Sequence, residues 1–127
     1  MSLAPLRPAR TVAVVATGGA YLKHRHPASS CAVVGVAALM TVQGSKITKA
    51  SLVIGGATAT PVRARAAEAA LTGQPPEETK LVGAGAKVAE AIKDPLSDLY
   101  ASGEYRIHLA TVLARRALAK AVERARA

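Results

Sequence analysis

A chain of 127 residues with one cysteine, no tryptophan, no phenylalanine and three tyrosines has room for one domain that buries about two thirds of its unfolded surface. The single Cys31 excludes an internal disulfide and any zinc or iron–sulfur centre built on cysteines, and it suits a reducing cytoplasm. Seventeen Lys and Arg against eight Asp and Glu give a net charge of +9, which suits phosphates, membranes or an acidic partner subunit and by itself selects none of them.

Residues 1–19 are rich in Pro and Arg, then briefly apolar from Thr11 to Ala16, then "TGG". The apolar run is too short for the core of a signal peptide or for a membrane span. We read 1–19 as a poorly ordered leader and 20–127 as the domain. Lys23, His24, Arg25 and His26 follow in four consecutive positions, and from Cys31 to Val42 the chain turns almost wholly apolar. That segment fits a central strand covered on both faces, although periodicity alone does not separate it from a helix. "QGSK" at 43–46 is a turn, and after it Ala50, Leu52 and Ile54 alternate with Lys49, Ser51 and Val53, predicting an antiparallel hairpin.

Gly55 and Gly56 lead into a short predicted helix over 62–71, with Pro61 at its entry and Gly73 as its stop. A second helix is expected after Pro75 and Pro76, continuing to about Lys93 before "DPLSD" breaks it, with Gly83 and Gly85 each weakening it by about 1 kcal/mol relative to Ala. The last helix begins near Ser102, a capping residue, and carries Ile107, Ala110, Ala114, Ala117, Leu118, Ala121 and Val122 on one stripe. Strands followed by helices predict an α+β fold, a small antiparallel sheet of about three strands with about three helices packed on it.

Few residues suggest chemistry. His24 and His26 share one face of a strand but have no third ligand nearby, so no metal site is expected. Tyr21 and Lys23 also share a face, where an aromatic ring and an ammonium would suit a flat, electron-rich ligand or an ordinary sheet surface. The "GGA" runs at 18–20 and 55–57 lack the spacing of phosphate-binding loops and are better taken as hairpin ends. Neither His108 nor Cys31 can be joined to a base and an orienting group, so catalysis by this chain alone is not expected. The cluster from Asp94 to Arg106 serves to end one helix and cap the next. The basic C-terminal stretch, with Arg115, Arg116, Lys120, Arg124 and Arg126, is a solvated helix face, and nucleic acid would bind it only weakly and without sequence selectivity.

In order and spacing, "YLKHRHPASSCAVVGVAA", "LVIGGATATPVRARAAEAALTG" and "DPLSDLYASGEYRIHLATVLARRAL" resemble the C-terminal domain of the FAD-binding medium subunit of molybdenum hydroxylases, the group of carbon monoxide dehydrogenase and xanthine dehydrogenase. The resemblance spans residues 20–124. It implies an oxidoreductase subunit domain that completes a flavin pocket for electron transfer from iron–sulfur clusters to FAD. It also implies three partners: an FAD-binding N-terminal domain, a large subunit with the molybdenum cofactor, and a small iron–sulfur subunit. On the same analogy Tyr21 and Lys23 match the Tyr-x-Lys placed beside the isoalloxazine ring. The glycine-rich loops that hold the FAD pyrophosphate in that family have no counterpart here, so the chain is expected to be a fragment, a truncated product or half of a split subunit, with weak FAD binding by itself. The alternative is a freestanding α+β interaction module without a redox role.

Overall fold

A computed structural model of the chain describes residues 15–25, 32–98 and 101–126. Among these, four strands pair antiparallel in sequence order: β1 (Val15–Arg25), β2 (Ala32–Gln43), β3 (Lys46–Gly55) and the two-residue β4 (Val62–Arg63). Three helices follow: α1 (Arg65–Leu71), α2 (Glu78–Lys87), continued by a 3-10 turn over Val88–Ala91, and α3 (Gly103–Arg126). The expected α+β architecture is observed, with one short strand more than predicted.

The alternation along the hairpin decides which face is covered. Val34, Val36, Ala38, Met40 and Val42 of β2 and Ala50, Leu52 and Ile54 of β3 are buried against the helical layer. Gly44, with φ of 64°, takes the first of the two turn positions, as a type II′ hairpin requires. Thr41 pairs with Lys49 and Val42 with Ile47, leaving Thr48 as a bulge. The extra residue shifts the phase, so that Ile47 and Ala50, three apart, both face inward.

Three expectations need correction. β2 is covered on one face only: Ala37 is exposed and Leu39 is 47% exposed, because the helices stack on the other side of the sheet. β1 takes in residues 15–19, which the sequence reading assigned to the leader, and residues 1–14 lie outside the described part. Gly18 and Gly19 are therefore not a hairpin end. A Cβ on Gly18 would collide with the backbone of α3 at Ala121, Arg124 and Ala125, so glycine here is what lets the helix lie close on β1. Third, the helix expected over 62–71 starts only at Arg65, since Val62 and Arg63 pair with Ile54 and Val53 as β4.

The stop at Gly73 and the cap at Ser102 are in place, while the second helix ends earlier than expected. Gly73 has φ of 84° just past α1, and its N–H donates to Ile47 O at 2.7 Å. The α-helical part of α2 ends at Lys87, short of Lys93. Ser102 Oγ accepts the Tyr105 N–H at 3.1 Å and caps α3. The buried stripe of α3 is Ala110, Leu113, Ala114, Ala117, Leu118, Ala121, Val122 and Ala125, and its alanines seat the helix against a sheet of small residues. No helix among the described residues is long and apolar enough to cross a membrane.

Candidate functional site

The face of the sheet turned away from the helices carries the one grouping of predicted site residues. Tyr21 and Lys23 of β1 project there, as their alternation predicted, followed by the exposed Arg25, and Tyr21 is 57% exposed. In register, Tyr21 pairs with Ala37 and Lys23 with Gly35. A Cβ on Gly35 would fall on the Tyr21 phenol, 2.9 Å from Cζ, so the ring passes diagonally over Gly35 and rests on bare backbone. One side of the ring is thus supported by the sheet while the residue stays largely open to solvent. Leu39 lies further along the same face, opposite Gly19, and extends an apolar floor of Tyr21, Ala37 and Leu39 edged by Lys23.

The basic run at 23–26 does not act as one cluster. His24 points to the opposite face, where its ring meets Tyr105 of α3 edge-on with centroids 6.3 Å apart. His26 and Cys31 lie outside the described residues. No group of three His, Cys, Asp or Glu able to hold a metal occurs among the described residues.

Two buried polar residues, Arg106 and Glu68, brace the sheet, and the second was not anticipated from the sequence. Arg106 of α3 is 7% exposed; the residues alone suggested a helix-capping role, and the family resemblance a packing motif over Asp98 to Arg106 together with the loop after Gly55. Its Nη1 donates to Val33 O at 2.9 Å and Gly56 O at 3.0 Å, and its Nη2 to Asp98 Oδ2 at 3.0 Å. Asp98 Oδ1 in turn accepts the Ala101 N–H at 2.9 Å. The guanidinium therefore ties the start of β2, the loop after β3 and the approach to α3 together, two residues from Gly35. Gly56, with φ of 85°, has no room for a Cβ against Val33 O, so the second "GGA" run is shaped by this latch.

Glu68 is the second. Because β4 is only two residues long, the Leu52 N–H of β3 has no strand opposite it, and Glu68 Oε2 accepts it at 2.9 Å. Arg63 completes the arrangement through Nε to Oε2 at 3.1 Å and Nη2 to Oε1 at 2.7 Å. The signal was present: in "RARAAEAAL" Glu68 shares the i, i+4, i+7 stripe with Ala64 and Leu71, both buried. An acid on that stripe needs a partner.

A four-stranded antiparallel sheet with helices on one face and an exposed aromatic–lysine pair on the other defines an α+β domain with one open sheet face. The chain belongs to the CO dehydrogenase flavoprotein C-terminal domain family, whose sequence model matches residues 19–121. It is 35% identical over 109 residues to the carbon monoxide dehydrogenase medium chain of Afipia carboxidovorans, covering 86% of this chain and 38% of that protein. Among solved structures, carbon monoxide dehydrogenase from Hydrogenophaga pseudoflava, in a form lacking the Mo-pyranopterin moiety of the molybdenum cofactor, superposes with a TM-score of 0.80 at 29% identity, over 87% of this chain and 38% of that one. Quinoline 2-oxidoreductase from Pseudomonas putida 86 shares the fold, with a TM-score of 0.77 at 23% identity over 84% of this chain and 37% of that one. The chain thus spans well under half the length of these relatives.

Proposed function

We propose that the chain is the C-terminal domain of the FAD-binding subunit of a cytoplasmic molybdenum hydroxylase, and that its bare sheet face closes one side of the flavin pocket. The observation that carries this reading is the Tyr21 ring, seated on Gly35 and open on its other side within a domain of this family. Bound FAD supplies an acceptor for electrons arriving from iron–sulfur clusters. Tyr21 offers a planar apolar surface to the isoalloxazine, Ala37 and Leu39 extend it and keep water away, and the Lys23 ammonium favours negative charge at its rim.

The residues fit the ring of a flavin better than its pyrophosphate. Gly18 is sealed beneath α3 and Gly56 is packed against Val33 O, so neither of these two glycines offers the open approach that a phosphate cradle needs. In this reading the pyrophosphate is held by an N-terminal FAD-binding domain, and the molybdenum-cofactor and iron–sulfur subunits complete the assembly. A ring contact alone contributes about 1 kcal/mol, far short of what tight binding needs. Titrating the purified chain with FAD and following flavin fluorescence tests this: weak or undetectable binding is expected, and submicromolar binding would overturn the assignment of the anchor to another domain.

A second reading, a freestanding interaction module, draws on the same exposed pair, Tyr21 and Leu39, since an isolated domain seldom leaves such a floor open. Co-purification separates the two. Recovery of molybdenum and iron–sulfur subunits supports the flavoprotein reading, and recovery of unrelated proteins without flavin supports the module.

A further inference from the structure

On the helical layer, remote from the sheet face that carries Tyr21, a groove of about 400 Å³ runs between α2 and α3. Pro76, Leu81, Val82 and Ala119 form its apolar lining, and Val82 is 40% exposed. Arg115 and Arg116 edge it, with Glu78 also in the lining. The placement of Arg115 is built in: a Cβ on Gly85 of α2 would lie 3.3 Å from Arg115 Cβ, so the stem is held where the two helices touch. Neither guanidinium has an ion-pair or hydrogen-bond partner among the described residues.

We infer that this groove docks an acidic surface segment of another subunit, one that sets an apolar side chain on Leu81 and Val82 between carboxylates facing Arg115 and Arg116. Charge selects this occupant over those the chain itself could supply. A second copy would bring another +9 against two unpaired guanidiniums. The chain's first fourteen residues bring Arg7 and Arg10 and no acid. A small free anion would gain the arginines but leave the apolar floor wet. The inference rests on the flavoprotein reading above, because it takes the partner from the same assembly.

The test is affinity purification of the tagged full chain co-produced with the FAD-binding N-terminal domain and the molybdenum-cofactor and iron–sulfur subunits of its own source. Three forms are compared: wild type, the Arg115→Glu, Arg116→Glu double variant, and Val82→Asp. All three positions are exposed, and thermal melting checks that each form folds. The wild type is expected to recover a partner subunit, less of it as NaCl rises from about 50 to 500 mM, and both variants are expected to recover about tenfold less with unchanged melting and flavin content. Equal recovery by the variants overturns the inference while leaving the flavoprotein reading standing. Loss of flavin in the variants overturns it by assigning the groove to the FAD-binding domain. Failure of the wild type to recover either subunit overturns both.

Discussion

The Tyr21 ring lies over Gly35 of the neighbouring strand, two residues along β2 from its own partner Ala37, so an exposed aromatic side chain is seated on a stretch of bare backbone. The absence of a side chain at 35 is what determines where that ring can rest. Gly35→Ala is therefore expected to swing Tyr21 off the sheet while changing stability by less than about 1 kcal/mol, because an exposed ring relieves the clash by rotating into solvent. Loss of nuclear Overhauser contacts between the Tyr21 ring and residue 35, with melting nearly unchanged, checks this. Retention of those contacts contradicts it.

Glycines on the helical side sort the other way. Gly18→Val drives a side chain into the backbone of α3 at Ala121 and Ala125 and should cost about 1–3 kcal/mol or more. Gly83 of α2 has nothing within 4 Å of a built Cβ, so Gly83→Ala should stabilise the chain by up to about 1 kcal/mol. Thermal or urea melting of the two variants, expected to shift in opposite directions, decides this.

Arg106→Met removes the donor shared by Val33 O and Gly56 O and is expected to destabilise the domain by about 2–4 kcal/mol. Arg106→Lys should rescue little of this, since an ammonium cannot span two carbonyls and a carboxylate in the fork geometry of a guanidinium. Asp98→Asn should cost much less, because that carboxylate is 59% exposed. Urea denaturation of the three variants gives the ranking, and equal costs for Arg106→Met and Asp98→Asn would contradict it.

Glu68→Ala leaves the Leu52 amide without an acceptor and is expected to cost about 1–3 kcal/mol. Arg63→Ala strips the bidentate cation from the buried Glu68 carboxylate and is expected to cost about 1–3 kcal/mol as well, less than a fully buried pair because the Arg63 side chain is 44% exposed. Hydrogen exchange at the Leu52 amide is the local readout: it should speed up strongly in Glu68→Ala and little in Arg63→Ala.

The parts of this structure legible in the sequence are those with a short-range cause. The Gly44–Ser45 turn, the alternation from Ala50 to Ile54, the stop at Gly73 and the cap at Ser102 each depend on neighbours within a few residues, and each is found where expected. The same local alternation placed Tyr21 and Lys23 on one face. What escaped depends on distant partners. Gly18 and Gly19 read as a turn because the helix that requires Gly18 lies more than a hundred residues away. β4 has two residues and so no period to detect. Arg106 reaches Val33, 73 positions earlier, a pairing no periodicity encodes. That β2 would be bare on one side followed from the helices all packing together, which composition does not disclose.

The central claim is that this domain supplies a ring surface to a flavin whose pyrophosphate is anchored elsewhere. Equilibrium FAD binding to the chain combined with its FAD-binding N-terminal domain, in wild-type and Tyr21→Ala forms, tests it most directly. The account predicts that adding the wild-type chain tightens FAD binding by the N-terminal domain and that Tyr21→Ala weakens it again by about five- to tenfold, as a ring contact of about 1 kcal/mol requires. FAD affinity unaffected by the chain, or indifferent to Tyr21, would contradict it.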